Sequence, residues 1–162
     1  MRKVIVSIFI ASAALVMFSC RSSKEALSLS SMNGEWNIIE INGSAVVPGQ
    51  GQQLPFIGFD TTTGKVYGYS GCNRIIGSVD VNAKPGTIDL GALGSTRMAC
   101  PDMTLEQNVL GALAQVKGYK KMGKENMALC NASNRPVVIL AKKAADVKVA
   151  DLQGEWKITD VN

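Results

Sequence analysis

The sequence contains no histidine among its 162 residues. Without an imidazole, Cys–His and Ser–His catalytic pairs are excluded, and so is every metal site that uses histidine. Aromatic residues make up only 6% of the chain, so no long basic stripe is interleaved with aromatic rings, as nucleic-acid binding would favour. We therefore expect no metal, no other cofactor, no nucleic-acid partner and no enzymatic activity.

Long hydrophobic runs are scarce, and the one that is present lies near the N-terminus. Residues 4–18 are apolar apart from two serines, and they follow Arg2 and Lys3. This run of 15 residues is shorter than the roughly 20 that a membrane-spanning helix needs. We therefore predict a signal peptide at 1–19 rather than a permanent anchor helix.

Cys20 follows the small residue Ser19 and resembles the lipidated cysteine of bacterial lipoproteins. We predict that Cys20 is acylated and anchors the protein in a membrane. An ordinary secretory signal with an incidental cysteine is the alternative. Arg21, rather than an aspartate, comes next, which by the same resemblance favours the outer membrane, with the domain facing the periplasm. Residues 20–31 then form a tether, and 32–145 form the folded domain.

Short alternating runs separated by turn residues predict a mainly β domain. The first run, 34–41, precedes Asn42-Gly43, which favours a tight hairpin because both residues tolerate a positive φ. Further strands are predicted at 54–60, 65–69, 75–81, 87–93, 127–130 and 136–141. We expect a small, mostly antiparallel, barrel-like sheet with one amphipathic helix packed against it.

That helix is predicted over 104–118. Thr104 and Gln107 have the spacing of a capping box. Apolar residues recur at intervals of three and four: Leu105, Val109, Ala112, Leu113 and Val116. Gly118 and the lysines around it are expected at the C-terminal end, where cations are favoured. Gly111 is either a weak point of the helix or a close contact with the sheet.

The end of the chain repeats an earlier segment. Residues 152–162 align with 32–42 at a constant offset of 120 residues, and five of the eleven positions are identical, both tryptophans among them. A period of this length predicts a tandem copy of the domain. We interpret 146–162 as a linker and the first strand of a second, truncated repeat. A last strand of the first domain is the alternative.

Two short motifs are the most specific feature of the chain. The first is Gly-Cys-Asn-Arg at 71–74, and the second is Ser-Thr-Arg-Met-Ala-Cys-Pro at 95–101. Together with Glu106, they resemble the META domain of the HslJ-like heat-shock lipoproteins of bacterial envelopes, over roughly 34–141. The resemblance implies a barrel-like fold and a link to stress, and it attaches no active-site role to any residue.

The cysteines of the two motifs are the natural candidates for a disulfide. Exported cysteines tend to be oxidised, which favours a bridge between Cys72 and Cys100. Cys130 lies in an apolar run and is expected to be a buried thiol. Pairings that involve Cys130 stay open, because connectivity does not follow from sequence. A metal site or a redox-active cysteine has little support, since no Cys-x-x-Cys spacing is present.

The motifs also supply Asn73, Arg74 and Arg97 as candidate site residues. We expect the two arginines to tie loops together through hydrogen bonds to carbonyl or carboxylate groups. The alternative is that they belong to a patch that binds an anion or a partner. The dispersed aspartates are expected to be turn and cap residues: Asp60, Asp80, Asp89 and Asp102.

The leader and the resemblance favour a non-catalytic, lipid-anchored envelope protein that binds another envelope protein or supports envelope integrity under stress. A small barrel can also enclose one ligand, so the alternative is a periplasmic carrier of a lipid or another apolar small molecule. The two hypotheses differ in the interior of the sheet, which is packed solid in the first and hollow in the second.

Overall fold

The computed structural model describes residues 27–144. The predicted signal peptide (1–19), Cys20, most of the tether and the partial repeat (146–162) lie outside the described residues. A short 3-10 helix at Leu29–Met32 comes before the sheet. The elements are β1 Gly34–Ile41, β2 Ser44–Ala45, β3 Phe56–Asp60, β4 Lys65–Tyr69, β5 Arg74–Ser78, β6 Gly94–Ser95, α1 Thr104–Leu113, β7 Gly118–Met122, β8 Asn126–Cys130 and β9 Pro136–Lys142.

The strands form one antiparallel sheet in the order β6-β5-β4-β3-β1-β9-β8-β7, with β2 paired to the end of β1. A mainly β fold with one helix is therefore confirmed. The sheet is not closed by a strand ladder between β6 and β7, which are its two ends. An isolated bridge between Thr87 and Gly118 joins the loop before β6 to β7.

The main hydrophobic core lies on one side of this sheet, where several residues are fully buried: Ile38, Ile57, Val66, Leu129 and Leu140. α1 packs there against β1 and β9 and contributes Val109, Ala112 and Leu113 to the same cluster. The side of the sheet that faces α1 is therefore filled by side chains. A smaller cluster of alternate residues in β8 and β9 contains Ala128, Cys130 and Ile139.

β1 has the bounds that the sequence predicts. It spans Gly34–Ile41 and ends in the expected hairpin, where Asn42 and Gly43 have φ values of 50° and 84°. On its buried side, the indole Nε1 of Trp36 donates a hydrogen bond to the Met32 carbonyl at 2.7 Å. This bond fastens the short 3-10 helix to the start of the sheet.

The helix differs from its prediction at both ends. It starts after Met103, and the Thr104 N–H is bound by the Asp102 carboxylate at 2.8 Å, so the predicted capping box is wrong. It ends at Leu113 rather than at residue 118. Gly118 belongs instead to β7, where the ladder with β8 and the bridge to Thr87 outweigh the helical periodicity.

The predicted strand at 87–93 is also wrong. Thr87 makes one bridge, and Ile88 and Leu90 are buried, but these residues form no ladder. The chain turns at Gly91, which has a φ of 57°, and the Asp89 carboxylate accepts a hydrogen bond from the Gly91 N–H at 2.9 Å. An apolar run with a strand-like pattern here packs into the core as a loop.

Two glycines are expected to respond in opposite directions to substitution by alanine. A Cβ on Gly68 in β4 would lie 2.2 Å from the Phe56 carbonyl oxygen, whereas a Cβ on Gly111 would meet nothing within 4 Å. Gly68→Ala should lower the free energy of unfolding by about 2 kcal/mol through overpacking. Gly111→Ala should raise it by about 0.5–1 kcal/mol, because alanine favours a helix. Urea denaturation measures both, and a stabilising Gly68→Ala would contradict this packing.

Candidate binding site at the Gly-Cys-Asn-Arg motif

The two motifs lie next to each other, where β4, β5 and β6 meet the start of α1. The first motif lies between β4 and β5, and the second runs from β6 towards α1. Gly71 has a φ of 120°, and a Cβ there would lie 3.0 Å from the Leu105 Cγ atom. Glycine is therefore required at this turn, both for its backbone conformation and for its close approach to α1.

Glu106, in the first turn of α1, holds the first motif in place. Its side chain is buried, with 5% of the residue exposed. Oε2 accepts hydrogen bonds from the Asn73 backbone N–H at 2.7 Å and from the Ser70 hydroxyl at 3.1 Å. Oε1 accepts a bond from Asn73 Nδ2 at 2.9 Å. A carboxylate is also favoured in the first turn of a helix.

Asn73 connects the first motif to the second. Its Oδ1 accepts hydrogen bonds from the Met98 N–H and the Thr96 hydroxyl, both at 2.7 Å, and its Nδ2 donates to the Met98 carbonyl at 3.1 Å. We call this network the clasp. It comprises the buried residues Ser70, Asn73 and Glu106 together with the exposed residues Thr96 and Met98. The clasp joins three segments that are distant in sequence.

A disulfide between Cys72 and Cys100 braces the same region, with the two Cα atoms 6.0 Å apart. Cys72 is buried and adjoins Asn73 of the clasp. Cys130 is the free cysteine of the described residues, and it is buried. Burial raises the pKa of its thiol, which keeps the sulfur protonated and unreactive.

The arginines of the motifs do not tie the loops together. Arg74 and Arg97 are exposed, and within residues 27–144 neither guanidinium forms an ion pair or a hydrogen bond. That interpretation is therefore wrong, because the buried Asn73 and Glu106 perform this role. The backbone of Arg74 is nevertheless fixed, since its N–H donates to the Thr96 hydroxyl and its carbonyl accepts from the Thr96 N–H, both at 3.1 Å.

A groove of about 500 Å³, open to solvent, runs past the disulfide. Both sulfur-bearing residues of the bridge, Arg74, two aromatic rings and a methionine contribute to its walls. Its lining consists of Gly51, Gln53, Phe56, Gly68, Tyr69, Cys72, Arg74, Met98 and Cys100. We call it the motif groove.

The outer face of the sheet continues from this groove. Strand register places Phe56, Tyr69 and Arg74 in one row across β3, β4 and β5. The next row contains Tyr67 and Ile76, which are 39% and 68% exposed. Aromatic and aliphatic side chains thus lie in the open on the side of the sheet opposite the core.

The four aspartates of the described residues serve turns and caps. Hydrogen bonds from the Thr63 hydroxyl and backbone lower the pKa of the Asp60 carboxyl. The Thr104 N–H lowers the pKa of Asp102 in the same way, at the start of α1. Among residues 27–144 no group of three or more metal-ligating side chains comes together.

Sequence reasoning missed two parts of the site. It assigned no contact to Glu106, whose partners lie more than 30 residues away in the chain. It also missed that Phe56 and Tyr69 face Arg74. The alternation of 65–69 did contain a signal, because it places Tyr67 and Tyr69 on the face opposite Val66.

These features define a class, namely a small, disulfide-braced, mainly β domain with a single helix. The family model of the META domain matches residues 27–144, so the chain belongs to the META domain family. The resemblance seen in the two motifs is thereby confirmed. Among curated proteins the chain has no significant match.

Three solved structures are similar to this chain. An NMR structure of a protein from Burkholderia xenovorans has 24% identity and a TM-score of 0.55, covering 73% of this chain and 88% of its own. A second NMR structure has 19% identity and a TM-score of 0.50, covering 76% and 94%. A crystal structure of a DUF4847 family protein from Bacteroides vulgatus ATCC 8482 has 16% identity and a TM-score of 0.47, covering 71% and 96%. At these identities the first two support the fold alone.

Proposed function

We propose that this protein is a non-catalytic, lipid-anchored envelope protein that binds another envelope protein through the motif groove and so contributes to stress tolerance. The observation that carries the proposal is an exposed Arg74 side chain that has no partner among residues 27–144, on a backbone that makes two hydrogen bonds with Thr96 of the clasp. The leader and Cys20 support the anchor. The lack of an aspartate after Cys20 supports the outer membrane, with the domain facing the periplasm. Among the described residues, no helix has the length and apolar character to cross a membrane.

The chemistry of the described residues supports a role without catalysis. Both oxygens of the buried Glu106 carboxylate accept hydrogen bonds, from Ser70 and Asn73. The Cys130 thiol is buried and stays protonated. The hydroxyl groups of Ser70 and Thr63 lie within reach of a carboxylate, and both have structural roles: Ser70 is buried with Glu106 in the clasp, and Thr63 closes the turn at Asp60.

The packing of the core disfavours the carrier alternative. Residues on the inner side of the sheet, such as Ile57 and Val66, are fully buried, and Val109 of α1 lies among them with no exposed surface. Two concavities of about 500 Å³ each open to solvent at the surface. An apolar ligand would have to displace packed side chains, so we retain partner binding as the proposal.

A deletion strain tests this role. Growth should be reduced under heat, detergent or antibiotic stress and restored by the intact gene. Cys20→Ala should restore growth poorly, because the protein would lose its acyl anchor. Mass spectrometry of the protein from cells establishes whether Cys20 carries the lipid. Unchanged growth of the deletion strain under all three stresses would contradict the proposed role.

A further inference from the structure

The motif groove combines two kinds of surface in one place, a single cation and several apolar or aromatic side chains. We propose that it binds an extended protein segment that places a carboxylate on Arg74 and an apolar or aromatic side chain against Phe56, Tyr69 and Met98. This inference deepens the proposed function, on which it rests, by naming the chemistry of the partner. It concerns the same groove.

Charge complementarity supports the carboxylate. The guanidinium of Arg74 is exposed and has no acidic partner among the described residues. Arginine presents a planar fork of donors that matches the two oxygens of a carboxylate. Two hydrogen bonds with Thr96 hold the Arg74 backbone, so part of the ordering cost of binding is already met in the free protein.

The acidic residue nearest to this face in register is already neutralised. Glu35 forms an ion pair with Lys143 at 2.6 Å. The Lys143 ammonium also lies 4.4 Å from the centre of the Phe56 ring, which forms part of the groove. The pair leaves no unbalanced negative charge beside Phe56, so Arg74 supplies the net positive charge that an incoming carboxylate meets.

The apolar part of the groove has the composition of a protein interface. Aromatic residues, methionine and arginine are enriched at such interfaces, and the motif groove holds all three types. The Tyr69 hydroxyl donates to the Gly71 carbonyl at 2.6 Å, which fixes the ring against the wall. Met98 is 62% exposed and can adapt its shape to a partner side chain.

The exposed apolar surface is longer than the groove, which favours an extended segment over a compact ligand. Tyr67 and Ile76 lie two residues along β4 and β5 from Tyr69 and Arg74, a distance of about 7 Å at the rise of a strand. A chain that anchors a carboxylate on Arg74 therefore has a second apolar contact at Ile76.

Peptide titration tests the inference directly. The full chain, purified in detergent, is titrated with a fluorescent peptide in which Phe and Glu alternate with Thr, and binding is followed by fluorescence anisotropy. The matched peptide carries Gln in place of Glu. Arg74→Gln should weaken binding of the Glu peptide about tenfold and leave the Gln peptide unchanged. Met98→Ser should weaken both peptides, because both carry the aromatic side chain.

Arg135→Gln is the matched control, because Arg135 is an exposed arginine in the turn before β9 and lies outside the groove. Equal affinity of the unaltered protein for the two peptides would overturn the inference. An equal loss in Arg74→Gln and Arg135→Gln would overturn it too. Competition by inorganic phosphate or by phosphatidylglycerol vesicles that depends on Arg74 would assign the site to phosphate groups instead.

Failure of the inference and failure of the proposed function are separable. If the peptides do not bind but the deletion strain is sensitive to stress and rescued by the gene, the envelope role stands and the partner chemistry is wrong. If the peptides bind as expected and the deletion strain grows normally under stress, the partner chemistry stands and the stress role is wrong.

Discussion

Replacing Glu106 with alanine is expected to lower the free energy of unfolding by about 4 kcal/mol, the largest effect of any single substitution proposed for this domain. The substitution removes the acceptor for the Asn73 N–H and for one hydrogen of the Asn73 side-chain amide, both of which are buried, while the Ser70 hydroxyl keeps the Asn73 carbonyl as an acceptor. Unpaired buried donors each cost about 1–3 kcal/mol. Urea denaturation followed by tryptophan fluorescence measures the change.

Two variants sharpen this test. Glu106→Gln keeps one acceptor oxygen but turns an amide towards the Asn73 donors, so its loss should be about half as large. Gln107→Ala removes the next, exposed side chain of α1 and should change stability by less than about 0.5 kcal/mol. If Glu106→Ala and Gln107→Ala had similar unfolding curves, Glu106 would not hold the clasp.

Loss of the Cys72–Cys100 bridge should have the second largest effect. The bridge joins residues 28 positions apart, and the chain-entropy model gives about 3.5 kcal/mol for a loop of this size. The free energy of unfolding of the double variant Cys72→Ser/Cys100→Ser should therefore be lower by that amount, and the variant should unfold at a lower urea concentration. Reduction of the unaltered protein should produce a similar shift in the unfolding curve.

Reductant supplies the internal control for the bridge. The double variant lacks the disulfide, and the remaining thiol of the described residues, Cys130, is already reduced. Its unfolding midpoint should therefore be the same with and without reductant. If the unaltered protein had the same unfolding midpoint with and without reductant, the bridge would not stabilise the native state.

The parts of the fold that were predictable from the sequence are those that local chemistry determines. β1 alternates and ends at Asn42-Gly43, a dipeptide that accepts the positive φ of a tight turn, so its bounds agree with the prediction. β4 agrees for the same reason, with Gly64 at the preceding turn. In both cases the signal lies within a few residues of the element.

The errors occur where distant contacts decide the structure. The apolar spacing of α1 continues to Val116, yet the helix ends at Leu113 because Gly118 pairs with Cys130 in β7 and β8. Ile88 and Leu90 look like strand residues and are buried, but no neighbouring strand pairs with them. Periodicity reports which side of a segment is buried, not which segment lies beside it.

At the site, too, local sequence predicted some features and distant contacts decided the others. The motifs identified Asn73 and Arg74 and placed them together, because they are adjacent in sequence. The opposite roles of the two residues depend on the buried carboxylate of Glu106, which takes the hydrogen bonds of Asn73 and leaves Arg74 exposed. No local pattern indicates which polar side chain of a motif turns inward.

Photo-crosslinking in living cells tests the central claim most directly, namely that the motif groove is where this protein meets a partner. A photoreactive amino acid replaces Met98 at the groove or, as a control, Val81, which is 41% exposed beyond the opposite end of β5. We expect a discrete crosslinked protein from position 98, absent from position 81 and reduced by Arg74→Gln. Equal products from both positions, or none from position 98, would contradict the account.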